Sequence, residues 1–360
     1  MAITFSNKKN MPSHLSYYLD AVRFFSAFMV FLYHIKTISL GPPSVLKLIP
    51  DKGHFFVILF FVLSGYVIAY STYFKNKGAF SYVVDRFARV FSVAFPSLVL
   101  CCLFAFFYSV SFKDELTNLL TNVLFLGQAG TLELYPFWNQ PYWSLCYEVM
   151  YYILFGCFFF LNGWKRIAAI TVAFIASGPK VILLLPCWLF GVWIYNYRDA
   201  IKVNKYIAIT LSFLLPAVII LILVKFNFIY VLKESSVSIL GVFHNKAGFS
   251  SHFLVDYATA IMFSAHIYFL RFFEFEWYGF FKSLIKIGSK VSFTLYLFHL
   301  PLLKFQEVIL GQSSQSKFSF LIALFVIPII CYLLSIFTDN FQSTLKLYLR
   351  NFSERKVKNI

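Results

Sequence analysis

The sequence predicts an all-α fold, a polytopic integral membrane bundle of about ten transmembrane helices with both termini in the cytoplasm. Of the 360 residues, 60% are hydrophobic and only 13% are charged, whereas a soluble domain carries about 25% charged residues. Long apolar runs alternate with short polar breaks, and Lys and Arg are unevenly distributed between these breaks. Together these observations exclude an ordinary water-soluble enzyme.

The apolar runs locate the helices, because a backbone exposed to lipid must satisfy its polar groups within one helix. A run of about 17–25 residues spans the bilayer. The predicted helices cover 17–39, 54–74, 86–109, 141–162, 166–178, 180–196, 206–224, 252–271, 289–310 and 317–338. The fifth is short enough to be tilted, re-entrant or fused with the sixth around Gly178. The stretch 226–245 contains Lys233, Glu234 and several serines, which favour an interfacial loop over a span.

The charge distribution predicts the orientation of these helices. The chain has 31 Lys and Arg against 15 Asp and Glu, a net charge of +16. Breaks on the side of the N-terminus hold roughly twice as many Lys and Arg as the other breaks, so the positive-inside rule places both termini in the cytoplasm. Basic residues between apolar runs meet the anionic head groups of membrane lipids, so no nucleic-acid partner is expected. The predicted organisation is one transmembrane domain, 1–345, followed by a basic cytoplasmic tail, 346–360.

The cysteines predict neither a disulfide framework nor a metal site. All six lie in apolar segments without the spacing of metal ligands, and they are therefore expected to be small packing residues. They are Cys101, Cys102, Cys146, Cys157, Cys187 and Cys331.

The first helix contains three ionisable residues, Asp20, Arg23 and His34. Such groups are costly in hydrocarbon and usually face a cavity. Asp20 and Arg23 can pair at a spacing of three residues, and His34 returns to within about 20° of Arg23 on the helix. The three can therefore line one interior face. The alternative is an interfacial ion pair with His34 as a packing residue.

The fourth helix begins with aromatic residues and carries an acid seven residues from its outer start, about 10 Å into the membrane. Trp143 is typical of an interfacial anchor, and Ser144 and Glu148 share a helical face. A rise of about 1.5 Å per residue places His34 and Glu148 at a similar depth in the outer half of the bilayer. A general base and its orienting acid require this arrangement. The alternative for Glu148 is a buried carboxylate that only stabilises the fold.

Three further helices carry weaker candidates. Ser64, in the second helix, belongs to a small patch that favours helix packing. Arg86 and Arg89, at the start of the third helix, suit a phosphate site at the cytoplasmic rim, or serve only as topology signals. Tyr296 and His299 form part of an inward polar stripe on the ninth helix, and His299 is a second ionisable candidate.

In this order, the motifs resemble the membrane acyltransferase-3 family, the bacterial integral-membrane O-acyltransferases that modify surface carbohydrates. The resemblance covers roughly residues 15–340. The matching fragments are Leu19 to Arg23 with Tyr33-His34, Phe60 to Tyr66, Arg86 to Arg89, Tyr142 to Glu148, and Thr294 to Pro301.

The resemblance implies acyl transfer, usually of acetyl, from cytoplasmic acyl-CoA to a hydroxyl of a cell-surface or lipid-linked glycan. It implies a multi-pass protein of the bacterial inner membrane, in the stand-alone form without a hydrolase-like domain. Acyl-CoA, such as acetyl-CoA, is then a co-substrate, and no permanently bound cofactor is expected. His34 and Glu148 are the expected catalytic residues, and Arg23, Arg86 and Arg89 are expected to bind the donor.

The remaining candidates are expected to support the site or to bind substrate. They are Asp20, Ser64, Trp143, Ser144, Tyr296 and His299. Residues 200–290 carry few family features, and we expect the acceptor to be recognised there. The competing function is a membrane carrier or flippase that uses the intramembrane charges for gating. The sequence shows neither the repeats nor the paired broken helices of many transporters.

The predicted topology is testable with reporter fusions. Fusions at residues 45 and 250 should report the outside, and fusions at 78 and 200 the inside, because the Lys and Arg bias places both termini in the cytoplasm. Paired alkaline phosphatase and fluorescent-protein reporters measure the two locations. Opposite results at two or more sites would overturn the topology.

Overall fold

The computed structural model describes residues 11–75, 78–108, 111–198 and 201–358. These residues are mostly helical and contain no strand. The α-helices are numbered in chain order. They are α1 (Ser13–Thr37), α2 (Pro43–Leu46), α3 (Gly53–Lys75), α4 (Ala79–Phe107), α5 (Phe112–Val123), α6 (Tyr142–Phe160), α7 (Gly163–Ser177), α8 (Pro179–Asn196), α9 (Lys205–Lys225), α10 (Phe228–Leu240), α11 (Phe253–Leu270), α12 (Gly279–Leu310), α13 (Lys317–Leu321) and α14 (Ile327–Lys358). A π-helical segment, Ile322–Val326, joins α13 to α14.

The predicted all-α polytopic membrane fold is confirmed. Within the described residues, nine helical segments are long and apolar enough to cross a membrane. They are α1, α3, α4, α6, α8, α9, α11, the segment that begins with α12, and the segment that contains α13 and α14. The predicted fifth span corresponds to α7, whose 15 residues fall short of the roughly 20 that a bilayer requires. The orientation of the termini stays a prediction.

Several helices extend beyond their predicted ends. Helix α4 begins at Ala79 instead of 86, and α12 begins at Gly279 instead of 289. Helix α14 continues to Lys358, whereas the last predicted helix ends at 338. The apolar runs mark only the part of each helix that suits lipid. No Gly or Pro follows Pro328 within α14, so its backbone hydrogen bonding continues into the polar sequence.

Three of the described helices, the single turn α2 and the longer α5 and α10, lie where no helix was predicted. Helix α5 follows α4, and the Tyr142 hydroxyl at the start of α6 donates a hydrogen bond to the Asn122 carbonyl near its end at 3.0 Å. Helix α10 occupies much of the stretch 226–245, so the loop interpretation of that stretch is wrong. At 13 residues, α10 is too short to span a bilayer.

The chain packs as two compact units. The first contains Met1–Arg23, Val57–Lys77 and Gly178–Lys286, and the second contains Phe24–Phe56, Gly78–Ser177 and Ile287–Ile360. Helices α1, α3 and α12 contribute residues to both units.

In the first unit, two glycines bring the backbones of α3 and α8 into contact. A Cβ atom on Gly65 would collide with the Trp188 carbonyl, and one on Gly191 would collide with the Val62 carbonyl. The Trp188 indole donates a hydrogen bond to Ser64 Oγ at 3.1 Å. Small residues therefore set the distance between these helices, as is common where membrane helices pack closely.

Replacing Gly65 with Ala should destabilise the protein by about 1–3 kcal/mol, because the added methyl group meets a backbone carbonyl that cannot move aside. The midpoint of thermal unfolding in detergent measures this loss. Gly279→Ala is the matched control, because a Cβ atom there has no neighbour within 4 Å. Equal midpoints for the two variants would contradict the close helix contact.

Candidate active site

Two histidines from different helices contact each other in the second unit. His34 lies in the last turn of α1, and His299 lies within α12. Nδ1 of His34 is 3.0 Å from Nε2 of His299, and the ring centroids are 4.9 Å apart. His299 is completely buried, and His34 is partly buried. The structure thus brings together the two predicted histidines.

The neighbouring carbonyls define which ring nitrogens carry protons. Nδ1 of His34 is 2.9 Å from the Val30 carbonyl oxygen, and Nδ1 of His299 is 2.9 Å from that of Leu295. Because a carbonyl oxygen only accepts, both Nδ1 atoms carry protons. Neutral His299 then has its lone pair on Nε2, and the single Nδ1–H of His34 is shared between this nitrogen and the Val30 carbonyl oxygen. Neutral His34 holds its own lone pair on Nε2.

A buried hydroxyl pair lies beside the histidines. Ser144 Oγ is 2.6 Å from the Tyr296 hydroxyl, and each hydroxyl is 3.3 Å from the Pro141 carbonyl oxygen. Tyr296 and His299 are three residues apart on α12, and their ring centroids are separated by 6.1 Å. The hydroxyl pair and the histidine pair therefore form one polar region on α12.

Glu148 and Trp143 lie on α6, on either side of Ser144 along the chain. Glu148 accepts a hydrogen bond from the Tyr152 hydroxyl. Trp143 is buried and stacks against His54, with ring centroids 5.7 Å apart. Within the described residues, the hydrogen bonds of His34 go to Val30 and His299, so Glu148 is not its direct partner.

A carbonyl freed by proline joins three segments beside His299. Pro301 lies inside α12 and has no N–H group, so the Leu297 carbonyl four residues earlier lacks its helical partner. Ser97 Oγ donates a hydrogen bond to this oxygen at 3.0 Å, and Asn139 Nδ2 donates another at 2.9 Å. Asn139 also donates to Ser97 at 3.0 Å. These bonds attach α4 and the segment before α6 to α12.

Ser97 and Asn139, which form this network, and His54, which stacks on Trp143, lie outside the predicted site. For the first two, Pro301 is the signal in the sequence, because a proline inside a buried helix leaves a carbonyl that needs a donor. The sequence does not indicate which residues supply that donor. For His54, the stacking on Trp143 depends on tertiary packing and has no local signal.

Arg86 lines an apolar groove in the second unit. The groove has a volume of about 540 Å³ and is formed by α4, α6 and residues 123–125. Arg86 is the charged residue among those that line it. Arg89 follows one turn later on α4 and is exposed. The two arginines are neighbours, but only Arg86 faces the groove.

The remaining predicted residues belong to the first unit. Arg23 donates a hydrogen bond to Asp20 at 2.8 Å, as the spacing of three residues predicts. Ser64 accepts its hydrogen bond from Trp188. Nothing in these contacts assigns a chemical role to Asp20, Arg23 or Ser64.

The loop between α5 and α6 contains a shifted titratable group. Burial, with a smaller effect of the neighbouring Glu133 charge, raises the pKa of Tyr135 to about 12. Tyr135 therefore stays a neutral phenol at neutral pH.

Comparison with known proteins identifies the family. The model of the acyltransferase-3 family, described as an acyltransferase domain, matches residues 16–344. The chain belongs to this family. It is also similar to an O-acetyl transferase of Shigella phage Sf6, with 24% identity over 200 residues. That match covers 49% of this chain and 59% of the phage protein. No solved structure matches the chain significantly.

In this acyltransferase-family chain, the bonds to Leu297 offer a test of the site's architecture. Replacing both Ser97 and Asn139 with Ala should leave the buried carbonyl without a donor, at a cost of about 1–3 kcal/mol. Each single variant should cost less, because the other donor remains. Thermal unfolding in detergent measures the three effects.

Ser92→Ala is the control for this experiment. Ser92 Oγ also donates to a carbonyl on α4, that of Arg89, at 3.2 Å. That carbonyl lies inside a helix without a following proline at position 93, so it keeps its helical partner. A loss from Ser92→Ala as large as that of the double variant would contradict the special role of Leu297.

Proposed function

We propose that the protein is an O-acyltransferase that moves an acyl group, in the simplest case acetyl, from cytoplasmic acyl-CoA to a hydroxyl of a lipid-linked or cell-surface glycan in a bacterial inner membrane. The contact between His34 and His299 carries this proposal, because it gives a family member a positioned base inside a membrane fold. The similarity to a phage O-acetyl transferase supports the choice of acetyl.

His34 acts as the general base through Nε2. As this nitrogen takes the proton of the acceptor hydroxyl, the hydroxyl oxygen attacks the thioester carbonyl carbon. The carbon–sulfur bond then breaks, and the imidazolium returns the proton to the departing thiolate. The products are the ester and free coenzyme A. A neutral imidazole can both take and return a proton, as general acid–base catalysis requires.

His299 supports this step by accepting a hydrogen bond from Nδ1–H of His34. This contact holds the ring in place and keeps the lone pair on Nε2, and it stabilises the imidazolium when it forms. Because His299 is the hydrogen-bond partner of His34, we propose that Glu148 holds the acceptor instead of orienting His34.

The hydrogen-bond partners of Ser144 favour direct transfer of the acyl group from donor to acceptor. A serine nucleophile needs a base within hydrogen-bond reach. Within the described residues, Ser144 Oγ bonds to Tyr296 and to the Pro141 carbonyl, and neither is a suitable base at neutral pH. We therefore propose no acyl-serine intermediate.

The donor enters from the end of α4 that carries Arg86 and Arg89. Bidentate guanidinium groups suit the diphosphate of coenzyme A. Arg86 precedes Ser97 by 11 residues on α4, which corresponds to about 16 Å along the helix. The extended pantetheine arm can cover that separation and bring the thioester towards His299 and His34.

Histidine variants test the proposed mechanism. His34→Ala should lower acylation by about 10²–10⁴-fold, the usual contribution of a general base. His299→Ala should cause a smaller loss, about 10-fold, because it removes one hydrogen bond of about 1.4 kcal/mol. Mass spectrometry of surface glycans from cells with matched amounts of membrane-inserted protein measures the added acyl groups.

His14→Ala is the control variant. His14 lies at the start of α1 in the first unit, with its ring 5.2 Å from that of Phe275, and has no proposed role in catalysis or acceptor binding. Acylation by this variant should match that of the natural sequence. Near-normal acylation by His34→Ala would refute the assignment of the base. Glycans without any acyl increment in cells that carry the natural sequence would refute the function.

A further inference from the structure

A cluster of charges lies where α14 packs along α4 in the second unit. Lys346 Nζ and an Arg350 side-chain nitrogen each lie 3.4 Å from the same oxygen of Asp85. Asp85 immediately precedes Arg86, and Arg89 lies one turn further along α4. Residues spaced by four share a helical face, so Arg89 lies on the same side of α4 as Asp85. The five residues comprise four cations and one carboxylate.

Asp85 is buried, but the two cations that it holds are accessible. The Asp85 side chain is 6% exposed, whereas those of Lys346 and Arg350 are 31% and 50% exposed. An arginine offers five N–H donors and a lysine three. Contact with one carboxylate oxygen therefore leaves donors on both residues for a second anion. The buried carboxylate positions the two cations, and the excess positive charge makes the cluster attractive to anions.

The spacing of the cations suits a polyanion. Lys346 and Arg350 lie four residues apart on one face of α14, and Arg86 and Arg89 lie three apart on α4. A phosphate monoester carries a charge of about −1.5 to −2 near neutral pH and has three acceptor oxygens. Coenzyme A combines such a monoester, the 3′-phosphate, with a diphosphate.

We infer that Lys346 and Arg350, positioned by Asp85, bind the 3′-phosphate of the acyl-CoA donor, while Arg86 and Arg89 hold its diphosphate. This inference rests on the proposed function. Arg86 lines the groove and thus lies nearer to the path of the pantetheine arm. The half-exposed Arg350 suits the nucleotide, which is the end of the donor furthest from the thioester. The extension of α14 beyond residue 338 is then part of the donor site.

Two donors that differ in one phosphate test this inference. Binding of acetyl-CoA and of acetyl-3′-dephospho-CoA is measured for the full chain in nanodiscs of neutral phosphatidylcholine. The natural sequence should prefer acetyl-CoA by about 10- to 100-fold, the range for a hydrogen bond between charged groups. Lys346→Gln and Arg350→Gln should each lower the ratio of the two affinities, because each weakens the binding of acetyl-CoA and leaves that of acetyl-3′-dephospho-CoA unchanged. Arg86→Lys should weaken the binding of both donors.

Lys290→Gln is the matched control. Lys290 Nζ lies 3.1 Å from Asp339 on α14, so this variant breaks a similar ion pair between a lysine and an aspartate that uses the same helix. The ratio should stay unchanged in this variant. Asp85→Asn separates positioning from net charge, because it makes the cluster more positive but releases the two cations. A lower ratio supports positioning by Asp85, and an unchanged or higher ratio overturns it.

The outcomes distinguish this inference from the proposed function. If the natural sequence binds neither donor, the proposed donor is wrong and the inference falls with it. If both donors bind and the ratio is the same in Lys346→Gln and Arg350→Gln, only the inference is overturned. Anionic lipid head groups are the other source of phosphate. A change of stability on adding phosphatidylglycerol that depends on Lys346 and Arg350, together with an unchanged ratio, would assign the cluster to lipid instead.

Discussion

The packing of the second unit depends on the hydrogen bonds to one buried carbonyl group, that of Leu297. Pro301 removes its helical hydrogen bond, and in an apolar interior no water is available to replace that bond. Ser97 and Asn139 satisfy the oxygen, and Asn139 also bonds to Ser97. Because an unsatisfied buried carbonyl is costly, these hydrogen bonds hold α4 and the segment before α6 against α12. The fixed part of α12 also carries His299 and Tyr296, so the same bonds hold the site in place.

A histidine pair suits this environment better than a histidine with a carboxylate. An ionised carboxylate in an apolar interior carries a large desolvation penalty unless it is paired. Two neutral imidazoles avoid that penalty and still transfer a proton, since each has one donor and one acceptor. The Val30 and Leu295 carbonyls fix the tautomers without any additional charge. In the proposed mechanism, charge appears only when His34 takes a proton, and His299 Nε2 already lies 3.0 Å from His34 Nδ1.

Much of the fold was predictable, because the bilayer imposes helices on apolar runs. The same physical rule explains where the prediction was wrong. Hydropathy marks the part of a helix that suits lipid, so it missed the polar continuation of α14 and the short helices α5 and α10. Among the candidate residues, local spacing predicted the contact between Asp20 and Arg23. The contact between His34 and His299 joins residues 265 positions apart and depends on the packing of α1 with α12. The spacing of residues along the chain does not show which side chains donate hydrogen bonds to the Leu297 carbonyl.

Helix α4 carries residues of both the charged cluster and the region beside His299 in the second unit. Near its start it carries Asp85, Arg86 and Arg89, and further along it carries Ser97, which binds Leu297 beside His299. A single α-helix keeps such groups at a fixed separation, and catalysis depends on distances that are held closely. In the proposed mechanism, a donor bound by the cluster of Asp85, Arg86, Arg89, Lys346 and Arg350 would therefore present its thioester at a reproducible distance from the histidines. Helix α14 stabilises the same arrangement, because its Lys346 and Arg350 side chains form ion pairs with the buried Asp85 carboxylate on α4.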